Sequence, residues 1–261
     1  MPIDFHNRSN ANTYASRRAH PGWFDQMQSV VNGRTPGIVA DVGCGGGIYS
    51  RAWKELGAGR VIGLDSSAQM IEDARAATND ETVQFAVANA YETGLDDASC
   101  DIVFSRAVVH HLDDHPAAMA ETFRILKPGG MVIVQDRSIE DVMQPTSPQH
   151  FRAHFFSEFP RLLETERRRR PETEALAITL ANVGFEDPAI KTFWETRRVY
   201  QSADELRADL LARTGRSILH ELSDDELGLL TETIVAASEG HFPLEERDRW
   251  TMWTATRPAV S

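Results

Sequence analysis

Two cysteines, Cys44 and Cys100, are all that 261 residues contain, too few for a disulfide framework or a zinc site made by cysteine alone. No apolar run approaches the roughly 20 residues that a membrane-crossing helix needs. The polar N-terminus also lacks the basic-then-apolar layout of a secretory signal. These absences lead us to expect a cytoplasmic protein with no membrane span. Positive charge is short as well: 27 lysines and arginines against 39 acidic residues leave a formal net charge of −12. Such a molecule repels polyanions, so no nucleic acid is expected as a partner. One basic run, Arg167 to Arg170, reads either as a grip on an anionic substrate or as a solvated helix face balancing Glu158, Glu164 and Glu166. Internal repeats and low-complexity tracts are absent, and no pattern bears on oligomeric state.

Against that background the stretch Ile38-Val39-Ala40-Asp41-Val42-Gly43-Cys44-Gly45-Gly46-Gly47 stands out, an apolar run breaking into four glycines within five positions. It reads as a buried strand feeding a tight turn and then a helix, the place where α/β proteins bind nucleotides. The dinucleotide fingerprint Gly-x-Gly-x-x-Gly would need a third glycine at position 48, which is isoleucine, and a nicotinamide enzyme is disfavoured on that ground. Asp41 and Asp65 stand at the ends of successive apolar runs. Two carboxylates on adjacent strand tips suit a ligand with a ribose diol and a positive charge better than one with a pyrophosphate.

Beyond the turn the alternation continues. A helix from Ile48 to Leu56 precedes a strand from Val61 to Leu64, and a helix from Ser66 to Ala77 precedes a strand from Val83 to Ala88. Strands four and five are expected at Cys100 to Ser105 and Met131 to Gln135, around a helix over Ala117 to Leu126. Regular β-α-β alternation predicts a parallel sheet with right-handed crossovers. A helix from Glu172 to Val183 leads to a sixth strand, about Ala189 to Val199, and a last strand at Arg249 to Thr256. Helices over Ala203 to Arg213 and Ser223 to Ser238 fill the gap between them, each opened by a capping serine, Ser202 or Ser223.

The glycine turn, the acidic tips and the run Arg124-Ile125-Leu126-Lys127-Pro128-Gly129-Gly130 together resemble the class I S-adenosylmethionine-dependent methyltransferases, in particular the small-molecule group that includes the ubiquinone and menaquinone enzymes. The resemblance covers about residues 38 to 136. It implies an α/β, Rossmann-like, doubly wound sheet of seven mostly parallel strands in the order 3-2-1-4-5-7-6, with strand 7 antiparallel. The chain is then one methyltransferase domain over 1–261, with an N-terminal helical cap (1–31) and helical insertions (137–170 and 200–247) forming a substrate lid. By the same resemblance Asp41 and the backbone of Gly43, Cys44 and Gly45 surround the methionyl group of S-adenosyl-L-methionine, and Asp65 accepts both ribose hydroxyls. Ser66 and Met70 line the adenine together with Asn89 and Ala90, where Asn89 replaces the family's usual aspartate. Ser105 and Arg106 lie near the methionine part, and Tyr14 and Arg18, in the cap, reach cofactor or substrate.

Transfer from a sulfonium requires neither a metal nor a covalent enzyme intermediate, because the methyl carbon is already activated. The protein aligns the groups and excludes water. His110 and His111 fall one turn beyond strand four, where an imidazole can take a proton from the acceptor; packing beneath the helix for one and solvation for the other is the alternative. Asp136 ends strand five, and His150 and His154 belong to an aromatic cluster; all three are candidates for the substrate pocket. No Pro-Cys pair follows strand four, and the Asn/Asp-Pro-Pro-aromatic motif of exocyclic amino methyltransferases is missing. The expected function is methyl transfer to an oxygen, nitrogen or carbon of a small molecule, leaving S-adenosyl-L-homocysteine. The alternatives are an RNA or protein methyltransferase, or a protein that binds the cofactor without turnover.

Overall fold

A computed structural model of the chain describes residues 18–259. In chain order the elements are α1 (Pro21–Val31), β1 (Ile38–Val42), α2 (Ile48–Glu55), β2 (Arg60–Asp65), α3 (Ala68–Ala76), β3 (Val83–Val87), β4 (Cys100–Arg106), α4 (His115–Ile125), β5 (Leu126–Asp136), α5 (Ile139–Val142), α6 (Arg152–Glu158), α7 (Pro160–Arg169), α8 (Thr173–Val183), β6 (Glu186–Tyr200), α9 (Ala203–Leu211), α10 (Asp224–Ala237) and β7 (Leu244–Thr256). The seven strands form one sheet in the order β3-β2-β1-β4-β5-β7-β6. β1 lies parallel between β2 and β4, and β7 runs antiparallel to β5, from Met131 opposite Thr256 to Asp136 opposite Thr251. Both the order and the reversed last strand are as the resemblance implies.

By packing, the described residues fall into two compact units, one of 18–136, 173–191 and 251–259, the other of 137–172 and 192–250. The first unit is built on β1 to β5. β1 and β4 are apolar on both faces, as strands covered by helices on each side must be, and bury Val39, Ala40, Val103 and Phe104. α4 starts where Asp114 accepts the Ala117 N–H at 2.9 Å, with Pro116 in its first turn. The segment from Lys127 to Gly130 lies inside β5, where the register with β4 jumps from Cys100–Leu126 to Ile102–Met131. Gly129 there donates to the Arg257 carbonyl at 2.8 Å. The Lys-Pro-Gly-Gly run is thus an irregularity within a strand rather than a break before it.

The second unit contains both segments read as insertions, and they are helical: α5, α6 and α7 in the first, α9 and α10 in the second. Its apolar core joins Phe151, Phe155, Leu162, Leu206, Leu210 and Leu230. Ser202 and Ser223 cap α9 and α10, accepting the N–H groups of Glu205 and Glu226. Beside this core lies a buried charge cluster in which Arg216 bonds Asp209 and Glu246, each at 2.7 Å, while Arg152 bonds Asp248 at 2.7 Å. The Arg167 to Arg170 run divides. Arg168 is exposed, whereas Arg169 and Arg170 both bond the buried Glu166. The solvated-face reading holds for Arg168 and Glu164 and fails for Glu166 and Arg170. Among the described residues no helix is long and apolar enough to cross a membrane.

Candidate active site

The glycine loop that joins β1 to α2 is held chiefly by bonds to the end of β2. Gly43 and Cys44 both donate to the Leu64 carbonyl, at 2.7 and 2.9 Å, and Gly47 donates to the Cys44 carbonyl at 2.9 Å. Gly45 donates to Asp65 Oδ2 at 2.9 Å. Four of the loop's N–H groups are therefore already bonded, unlike a phosphate-binding nest, in which successive N–H groups point at the ligand. Gly43 has φ +75, and a Cβ there would sit 2.3 Å from Val108 Cγ2, whereas a Cβ on Gly45 (φ +51) would meet nothing within 4 Å. The loop is packed at one end and open at the other.

Asp41 and Asp65 differ. Asp41 is 2% exposed, accepts Ser50 Oγ at 2.5 Å, and is pushed up to about 7, chiefly by burial. Asp65 is half-buried and accepts one backbone N–H on each oxygen, Gly45 on Oδ2 and Ser67 on Oδ1 at 2.9 Å. Each carboxylate oxygen accepts more than one bond, so the pair can also take two hydroxyls. Ser67, not Ser66, caps α3; Ser66 is exposed and Met70 is buried. Asn89 Oδ1 accepts the Tyr91 and Glu92 N–H groups, both at 2.8 Å, so its amide is the part that can address a ligand. Ala90 and Ser105 line one small apolar cavity together with Val108, Met119 and Thr122.

The tips of β4 and β5 bring the next group together. After Arg106 the chain turns through Ala107, a non-glycine residue with φ +56, held by an N–H bond to the Gln135 carbonyl at 2.9 Å. Such strain persists only where the surroundings enforce it. The His110 ring is 6% exposed, with Nδ1 at 2.9 Å from both oxygens of Asp136, itself 0% exposed. His111 is exposed, its ring 4.0 Å from that of His110. The structure separates the adjacent histidines into one held by a carboxylate and one facing water.

Two further residues belong to this group, and neither was singled out in the sequence. Gln135 accepts Arg106 Nη1 at 2.8 Å and Trp23 Nε1 at 3.0 Å on the same oxygen. Tyr49, in the first turn of α2, lies under the Arg106 guanidinium at 4.9 Å. A polar pair, Gln135-Asp136, ending an otherwise apolar strand was the available signal for the first. Tyr49 and Ser50 carry no sequence signal beyond their nearness to the loop.

His150 and His154 belong to the second unit. His150 is buried with Nδ1 3.2 Å from the Arg247 carbonyl, and its ring packs edge-on against Trp194. Burial lowers its pKa. His154 is half-buried in α6, and Arg18 is exposed. Tyr14 lies outside the described residues.

The strand order, the antiparallel last strand and a glycine loop flanked by two carboxylates define a class I methyltransferase fold. Residues 40–134 match the family described as a methyltransferase domain. A malonyl-[acyl-carrier protein] O-methyltransferase of Serratia marcescens is 39% identical over 36% of this chain and 35% of its own length. A demethylmenaquinone methyltransferase of Staphylococcus epidermidis is 32% identical over 52% of this chain and 56% of its own. The matched stretch thus spans between about a third and just over half of these curated relatives. Among solved structures, phosphoethanolamine N-methyltransferase 2 of Haemonchus contortus, with phosphomonomethylethanolamine and S-adenosylhomocysteine, superposes with a TM-score of 0.63 at 19% identity, covering 98% of this chain and 60% of that one.

Proposed function

We propose that the protein transfers a methyl group from S-adenosyl-L-methionine to a small-molecule acceptor, leaving S-adenosyl-L-homocysteine. The observation that carries this reading is the glycine loop, four of whose N–H groups are taken by Leu64, Asp65 and Cys44 while two carboxylates flank it. A site of that chemistry suits an ammonium group and a ribose diol and offers little to a pyrophosphate. The bound cofactor supplies an activated methyl group with its own leaving group.

The chain's residues supply placement. Asp41 faces the methionyl ammonium together with the Gly43, Cys44 and Gly45 segment. Asp65 takes the ribose hydroxyls. Ser66, Met70, Asn89 and Ala90 border the adenine, with the Asn89 amide donating to a ring nitrogen, and Ser105 and Arg106 face the amino-acid part. His110, held with Nδ1 2.9 Å from both oxygens of Asp136, is the residue assigned to take a proton from the acceptor. His111 is not assigned a proton-transfer role. The helical segments 137–170 and 200–247, with His150 and His154, are assigned to acceptor recognition, and Arg18 with them.

Incubating the protein with methyl-labelled cofactor and a fractionated cell extract tests this reading. Label is expected in the metabolite fraction. Label in RNA or protein instead would move the acceptor to a macromolecule, and bound cofactor with no transfer to any fraction would make this a binding protein.

A further inference from the structure

The structure leaves the carboxylate of an amino-acid ligand in need of a donor, because the N–H groups of Gly43, Cys44, Gly45 and Gly47 are already bonded, to Leu64 and Asp65 at the end of β2 and to Cys44. A suitable cation is nearby: Arg106 leaves the tip of β4, with its guanidinium 4.9 Å from the ring centre of Tyr49 in the first turn of α2. A helix N-terminus and a guanidinium both favour an anion. What orients Arg106 is Gln135, fully buried on β5. Its Oε1 accepts Arg106 Nη1 at 2.8 Å and Trp23 Nε1 at 3.0 Å. Its Nε2 faces Met252 Sδ at 3.5 Å and Gln26 Oε1 at 3.4 Å. Its backbone carbonyl holds Ala107 in the left-handed conformation. One residue therefore fixes both the guanidinium and the turn that follows it.

Resting on the reading above, we propose that Gln135 is a positioning residue that presents Arg106 to the carboxylate of the cofactor's amino-acid part. Its neutrality is part of the function. Glutamate has the same length and could accept both N–H groups, but it would place a full negative charge against Arg106 and repel the ligand's carboxylate.

The test compares S-adenosyl-L-methionine with its decarboxylated analogue, which keeps the sulfonium and the amine, by calorimetry on wild type, Gln135→Glu and Gln135→Met. The natural cofactor is expected to bind wild type at least about tenfold more tightly than the analogue, the equivalent of one charge-assisted bond. In Gln135→Glu that ratio is expected to fall to near one, chiefly through weaker binding of the natural cofactor. Gln135→Met, which removes the acceptor without adding charge, is expected to reduce the ratio by a smaller amount, and it decides the matter should the glutamate variant fail to fold. An unchanged ratio in the folded variants, or equal weakening of both ligands, would overturn the proposal, since a merely structural glutamine would not discriminate between them. Wild type that binds neither ligand would instead defeat the methyltransferase reading itself.

Discussion

Asp41 is buried beneath the glycine loop, and burial lifts its carboxyl from 3.8 to about 7 even though Ser50 donates to it at 2.5 Å. A carboxyl raised in this way keeps a proton in the folded state that the unfolded chain has already released. The stability it contributes is present below the unfolded value, is lost as pH rises toward about 7, and is level above that. Asp41→Asn keeps an acceptor for Ser50 and removes the titration. It should therefore raise stability above neutral pH, by up to about 4 kcal/mol at 1.36 per unit, and change it little near pH 4. Urea unfolding at both pH values measures this, and a variant equally displaced at both would refute it. The paired histidines make a second case at this scale. His110→Ala should lower kcat by about a hundredfold or more, while His111→Ala should stay within about threefold, as steady-state kinetics on the identified acceptor would show. Asp65 and the glycines were legible because spacing and strand ends announce them. Gln135 was not, because a glutamine's value lies in what it touches, and no local pattern encodes a bond to Arg106, 29 positions away.

Among the elements, α10 offers a direct test of local energetics. Gly228 sits in its interior, and a Cβ built there meets nothing within 4 Å. Gly228→Ala should stabilise the protein by about 0.5–1 kcal/mol, since alanine restricts the unfolded chain and meets no clash. A rise in denaturant midpoint with an unchanged slope is the expected reading. The same helix shows why its start was legible in the sequence: Ser223 and Glu226 form a reciprocal capping box, and that pairing leaves a fixed spacing. Strands β1, β2 and β4 were legible for a similar reason, being short apolar runs ended by polar residues. β6 and β7 run longer than their apolar stretches suggest, Glu186–Tyr200 and Leu244–Thr256. Their additional lengths carry charged residues, of which Glu246 and Asp248 point inward to arginines. Alternation of polar and buried polar residues looks the same in a sequence as alternation of exposed charges, so the strand ends were hidden.

At the scale of the whole molecule, the two units differ in how many buried carboxylates arginines hold ionised. In the second unit burial alone would raise the carboxyls of Glu166, Asp209, Glu246 and Asp248. The arginines beside them outweigh it, Arg170 for Glu166, Arg216 for Asp209 and Glu246, and Arg152 for Asp248, and hold all four below their ordinary values. Groups depressed in this way contribute stability above the unfolded values of 4.5 for glutamate and 3.8 for aspartate, and that stability is lost as pH falls through and below them. The first unit contains the raised Asp41, which acts in the reverse sense, and Glu121, held at about 2 by the Arg124 side chain. Acidification should therefore open the second unit first. Removing a proton acceptor from a buried ion pair leaves an arginine without its counter-charge, a change that costs about 3–5 kcal/mol when one partner is lost outright. Hydrogen exchange followed peptide by peptide between about pH 5 and 3, corrected for intrinsic rates, should show α9 and α10 losing protection while β1, β4 and β5 keep it. Added salt should shift that transition little, because buried pairs are poorly screened. Simultaneous loss in both units, or loss from β1 and β4 first, would show that the arginine-paired carboxylates do not set the acid limit of the fold.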